Sequence, residues 1–161
     1  MQTAKRLHAP EPDDIRLDLE ERSFYRFSIM ATQINRAVAR VYVKKYGPPA
    51  NAWKIIAVLN KYKVQSASEL KAHSTLEMDK ITRIVDNLVE RGFVVRTQDQ
   101  LDRRRVVIRL SAAGKRVAKY LEDSIAAMEH DFLGALKPAE RRAFYELLEK
   151  LRTRADQIFA R

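Results

Sequence analysis

The run Asp102-Arg103-Arg104-Arg105-Val106-Val107-Ile108-Arg109-Leu110-Ser111, which follows a helical stretch closing on Gly92, constrains this chain more than any other segment. Val106, Ile108 and Leu110 recur at every second position, the period of a strand with one buried face, and three consecutive arginines stand where a hairpin tip falls. From Arg96 to Arg116 seven basic residues (Arg96, Arg103, Arg104, Arg105, Arg109, Lys115, Arg116) oppose Asp99 and Asp102, and that surplus of five is half of the chain's formal +10. Clustered Lys and Arg release counterions from a polyanion, so a focused surplus points to nucleic acid more than a diffuse one does. The alternative is a solvated basic hairpin with no partner.

At 161 residues the chain suffices for one compact domain, or for a small domain with elements that need a partner chain to bury them. Its 32% charged and 46% hydrophobic residues are those of a globular protein. Lys5, Arg6, Pro10 and Pro12 mark a loose tail over residues 1–14. The sequence shows neither a membrane-length apolar run nor a signal-peptide core, so a cytoplasmic location is expected. Without cysteine there is no thiol sensing, disulfide scaffold or Cys-rich zinc site. His8, His73 and His130 form no i, i+4 pair, and no phosphate loop or nucleophile motif occurs among four glycines. No metal, no cofactor and no enzymatic chemistry are expected.

Apolar residues at Phe27, Met30, Ile34, Ala37, Val38 and Val41 predict a helix from about Leu19 to Lys45, ended by Gly47-Pro48-Pro49. At about 37 Å it is long for a lone element of a small domain, and its stripe suits packing along another chain. A second helix is predicted over Asn51–Lys61 around Trp53, Ile56 and Leu59. Ser66-Ala67-Ser68-Glu69 has capping-box spacing and opens a short helix anchored by Leu70. Ser74-Thr75-Leu76-Glu77 repeats that spacing ahead of a helix carrying Ile81, Ile84, Val85 and Leu88 to Gly92. Two capped helices joined tightly make a helix-turn-helix.

Phe93–Thr97 then reads as a strand, Gln98–Asp102 as a polar turn and Arg104–Leu110 as the returning strand, together a wing. Ser111 caps a long helix with Val117, Leu121, Ile125, Met128 and Phe132 on one face, broken at Gly134 and Pro138. A last helix aligns Phe144, Leu147, Leu148, Leu151 and Ile158. The order α-α-α-α-β-β-α-α gives a mainly α fold with a small β-hairpin wing. The winged helix-turn-helix spans 49–111, and the regions 15–48 and 112–161 are left to dimerisation.

Off the apolar stripe of the second helix of the motif, the expected recognition helix, lie Asp79, Lys80, Thr82 and Arg83, which together with Thr75 at its start are its candidate DNA contacts. Arg83 and Lys80 suit guanine O6 and N7, Asp79 a cytosine amino group, and Thr82 a thymine methyl or a phosphate. Asp79 and Glu77 equally complement the helix dipole.

The stretch Glu69-Leu70, Ile81-Thr82-Arg83, Val85-Asp86, Leu88, Gly92, Val94, Arg96, Asp102-Arg103-Arg104, Leu110-Ser111 and Gly114 resembles the MarR family of bacterial transcriptional regulators, with matching spacing. His73 and Ser74 depart from it, since relatives usually carry apolar residues in that turn, and Ser111 stands where threonine is commoner. The resemblance implies a homodimeric repressor with intertwined termini on a pseudo-palindromic DNA operator, its half-sites about 10 to 10.5 base pairs apart. It implies a minor-groove or phosphate contact for Arg104, with Asp102 holding the wing through an ion pair and Arg103 and Arg105 as phosphate candidates. It also implies a small anionic effector, aromatic or an acyl thioester. Phe24, Tyr25, Arg26, Phe27, Arg40, Tyr42 and Trp53 supply the composition of such a pocket, although aromatics at helical spacing also serve as core or dimer contacts. A constitutive architectural DNA-binding protein is the competing reading.

Overall fold

A computed structural model describes residues 18–99 and 102–159. The tail expected over 1–14 and the wing residues Gln100 and Leu101 lie outside the described residues. The chain divides into two compact units, one running to Lys119 and one from Tyr120 onward.

In the first unit a 3-10 turn, Leu19–Glu21, precedes α1 (Ser23–Tyr46), so the long helix starts four residues later than its periodicity suggests. Gly47 ends it in the left-handed region (φ +75°), its N–H donating to the Val43 carbonyl. Only Val38, Ala39 and Tyr42, all near its C-terminal end, are buried. Farther back Phe27, Ile29 and Ile34 are exposed, and Phe24 is 73% exposed. The N-terminal half of α1's apolar stripe is thus largely left in solvent, with Phe27 and Ile34 exposed and Met30 partly so.

α2 (Ala52–Tyr62) buries Ile55, Ile56 and Leu59. It leads through Lys63 (φ +69°) into β1 (Val64–Gln65), a two-residue strand too short to show a period. α3 (Ala67–Ser74) and α4 (Met78–Glu90) follow, each packed on the other and on α2. The buried stripe of α4, Ile81, Ile84, Val85 and Leu88, is the one the spacing predicts.

β2 (Val94–Gln98) and β3 (Val106–Leu110) pair antiparallel, with Val94 opposite Leu110 and Gln98 opposite Val106. β1 adds to the far edge of β3, giving the order β1-β3-β2, a three-stranded sheet where a bare hairpin was expected. The predicted inward alternation fails at its outer end. Val106 is 53% exposed while Val107, Ile108 and Leu110 are buried, because Val106 pairs with the last residue of β2 beside the tip.

α5 (Ala112–Leu133) starts at the expected cap. The Ser111 hydroxyl donates to the Gly92 carbonyl (2.6 Å), and its oxygen accepts the Gly114 N–H (3.0 Å), fastening the helix start to the start of β2. Gly114 is required here, since a Cβ would stand 1.9 Å from the Phe93 carbonyl oxygen.

In the second unit the end of α5 turns into α6 (Pro138–Phe159). Arg141 donates to the Leu133 carbonyl (3.0 Å) and Tyr145 to Glu129 (3.0 Å). Leu147, Leu148, Leu151 and Ile158 of α6 are all exposed. Among the described residues no helix is long and apolar enough to cross a membrane, and no group of three acidic or histidine side chains could hold a metal.

Candidate nucleic-acid interface

The approach to α4 differs from the predicted second capping box. Ser74 is the last residue of α3, Thr75 closes that helix in the left-handed conformation (φ +56°), and Glu77 is the α4 N-cap but its side chain makes no capping bond. Ser74 is buried, its Oγ accepting the Leu76 N–H at 3.4 Å, so its hydroxyl serves the turn and not the next helix. Thr75 therefore belongs to the turn and not to α4, where it was expected among the DNA-contacting residues, and its hydroxyl donates to the Ser74 carbonyl. His73, the other polar departure in this turn, is exposed and stacks on Tyr62 with centroids 4.0 Å apart.

Asp79, Lys80, Thr82 and Arg83 are exposed on the first two turns of α4, opposite its buried stripe. Thr82 donates to the Met78 carbonyl at 3.1 Å, leaving its methyl and hydroxyl oxygen for a partner. Glu77 pairs with Lys71 at 3.6 Å. At the other end of α4, Asp86 holds Arg96 of β2 at 2.6 Å, so Arg96 is not a free charge of the basic segment.

The wing tip is shaped by backbone bonds to two aspartates. The Asp99 N–H donates to the Arg105 carbonyl (2.8 Å), the Arg105 N–H to the Asp102 carbonyl (2.9 Å) and the Asp102 N–H to the Asp99 carboxylate (3.3 Å). The Asp102 carboxylate accepts the Arg104 N–H at 3.0 Å, an Asx-type turn. Asp102 therefore supports the wing through the Arg104 backbone, not through the expected ion pair with its guanidinium. Arg103 and Arg104 are exposed, and among the described residues neither forms an ion pair.

Arg105 differs, because its guanidinium pairs with Glu69 in the first turn of α3. Glu69 also closes the capping box with Ser66, as its spacing predicts. The Ser66 N–H first and the Arg105 guanidinium second hold the Glu69 carboxyl well below its usual range, at about 2. The roles of Glu69 and Asp86 as partners of the wing were not legible from spacing, since each pairs across elements.

The residues offered for an effector pocket are not gathered within the single chain. Phe24, Tyr25, Arg26 and Phe27 occupy the exposed start of α1, roughly 22 Å or more along the helix from Tyr42 at 1.5 Å per residue. Arg40 is exposed near the other end. Tyr42 is fully buried. Its hydroxyl lies 2.6 Å from the Pro49 and Ala50 carbonyls and accepts the Trp53 backbone N–H at 3.1 Å, so it belongs to the core joining α1 to α2. Burial pushes its phenol up to about 12. Trp53 is half-buried, and its indole N–H finds no partner among the described residues.

Residues 49–106 match the model of the MarR family. Over 116 residues the chain is 26% identical to a proposed transcriptional regulatory protein for the hcr operon of Thauera aromatica, covering 72% of this chain and 70% of that protein. It superposes on a MarR/EmrR family transcriptional regulator from Acinetobacter sp. ADP1 with a TM-score of 0.79 at 22% identity, over 88% of this chain and 100% of that one. BpsR of Bordetella bronchiseptica, whose DNA binding is regulated by 6-hydroxynicotinic acid, superposes with a TM-score of 0.73 at 17% identity, over 85% and 97% of the two chains. At these identities the two structures establish the fold.

Proposed function

We propose that this chain, which matches the MarR family model over residues 49–106 and shares the fold of a MarR/EmrR family regulator, is a transcriptional regulator of that family, a homodimer that reads a pseudo-palindromic operator and is released from it by a small anionic effector. The observation that carries the DNA-binding reading is the pair of exposed arginines Arg103 and Arg104, without an ion-pair partner among the described residues, on a tip braced by Asp99 and Asp102. A guanidinium so placed meets the focused negative potential of a narrow minor groove, while Lys80 and Arg83 reach base edges in the adjoining major groove. Arg83 then governs sequence preference and Arg104 overall affinity.

Dimerisation is supported by the apolar residues that α1 and α6 leave in water, each a stripe that a second copy would cover. Release by a ligand is the reading suggested by BpsR. In this chain Trp53, whose buried indole N–H finds no partner among the described residues, offers a polar handle for an aromatic acid. A coupling of only about 1–3 kcal/mol, 5- to 150-fold, suffices for control.

The test is binding of the purified protein to DNA flanking its own gene at near-physiological salt, with scrambled competitor and a panel of aromatic acids and acyl thioesters. Tight, competitor-resistant binding relieved by one compound upholds the proposal. Binding that follows salt but not sequence, unmoved by any compound, favours a constitutive architectural protein.

A further inference from the structure

The three arginines at the wing tip are not equivalent. Arg105 Nη2 lies 2.5 Å from Glu69 Oε2, across 36 residues of sequence. That same oxygen accepts the Ser66 N–H at 2.7 Å and the Ser66 hydroxyl at 2.9 Å, while the Ser66 oxygen accepts the Glu69 N–H at 3.3 Å. One carboxylate oxygen thus closes the N-terminal cap of α3 and grips the wing. The grip falls just beyond the β2–β3 ladder, which ends at Gln98 and Val106, and ties the tip, whose own backbone-to-backbone bonds among the described residues join only Asp99, Asp102 and Arg105, to a separate element.

We propose that Arg105 is a positioning residue: it latches the wing to Glu69 at the start of α3, so that Arg103 and Arg104 are presented to DNA in a fixed direction, and it does not itself neutralise a phosphate. The functional half of this inference rests on the DNA-binding reading above. A guanidinium already neutralised by a carboxylate brings no net charge to the duplex, and a phosphate that captured it would strand Glu69 beside the DNA backbone. Counterion release therefore comes from Arg103 and Arg104. What Arg105 contributes is preorganisation, since a wing held in place before binding loses less freedom on binding. Both partners are close to half exposed, 43% and 42% at their side chains, so the effect expected is modest, about two- to fivefold.

The experiment compares Arg105→Ala and Glu69→Gln with the wild-type full chain. Amide exchange at Arg103, Arg104 and Arg105 is read without DNA, and affinity and its salt dependence are read on a duplex selected by the wild-type protein from random sequence. Both variants should speed exchange at the tip about two- to fivefold. Arg105→Ala should weaken binding by a similar factor with the slope of log K against log salt unchanged, where loss of a phosphate contact would flatten it by about one. The proposal is overturned if Arg105→Ala flattens the slope by about one while tip exchange stays at the wild-type rate, which would make Arg105 a phosphate contact. It is equally overturned if Glu69→Gln leaves tip exchange unchanged. Should the wild-type protein select no duplex, faster exchange in both variants still upholds the latch, and the DNA-binding reading alone fails.

Discussion

The guanidinium of Arg96 on β2 lies 2.6 Å from the carboxylate of Asp86 on α4, a direct tie between the wing and the helix proposed to enter the major groove. With both side chains partly exposed, the pair contributes about 0.2–1 kcal/mol and matters more for register than for stability. Asp86→Ala and Arg96→Ala should each shift the urea midpoint slightly. A double-mutant cycle should return a coupling of about 0.2–1 kcal/mol, and zero coupling would show that the tie is idle.

Gly114 should tolerate no side chain. The Cβ of Gly114→Ala meets the Phe93 carbonyl at 1.9 Å, and both sit on backbone that Ser111 fastens. Forced separation of α5 from β2 should cost about 1–3 kcal/mol, visible as a lower thermal midpoint. An unchanged midpoint would contradict the close approach.

Tyr42 sets an alkaline limit on stability. Its phenol, raised by burial to about 12 from an ordinary 10, favours the protonated, folded form. The contribution is complete below pH 10 and is lost as pH rises towards 12. Unfolding free energy should therefore fall across that interval in the wild type. Tyr42→Phe should remove this dependence while costing about 1–2 kcal/mol at neutral pH, since the Trp53 N–H loses its acceptor. A wild type as insensitive to alkali as the variant would exclude the buried phenol.

Local signals were the legible ones. The Ser66-Glu69 capping box, the Ser111 cap, the left-handed Gly92 and the stripe of α4 each depend on residues within one turn or one face, and each stands where spacing predicts. The second capping box shared the spacing of the first but not its geometry, because Thr75 takes the left-handed conformation and leaves Ser74 inside α3. Sequence spacing was also silent on pairs between elements. The Glu69–Arg105 pair and the Tyr42 hydroxyl's bonds to the α1–α2 turn depend on how helices and strands meet. Composition alone placed Tyr42 and Trp53 with Phe24 and Phe27 because aromatic residues look alike until burial separates core from surface.

The wing arginines are the centre of the account, and salt dependence tests them most directly. On a selected duplex, the wild-type protein and the Arg103→Ala/Arg104→Ala double variant are compared from low to near-physiological salt. Loss of two phosphate or minor-groove cations should flatten the slope of log K against log salt by about two and weaken binding to every sequence alike. A slope unchanged by the double substitution would contradict the claim that this wing binds DNA through Arg103 and Arg104.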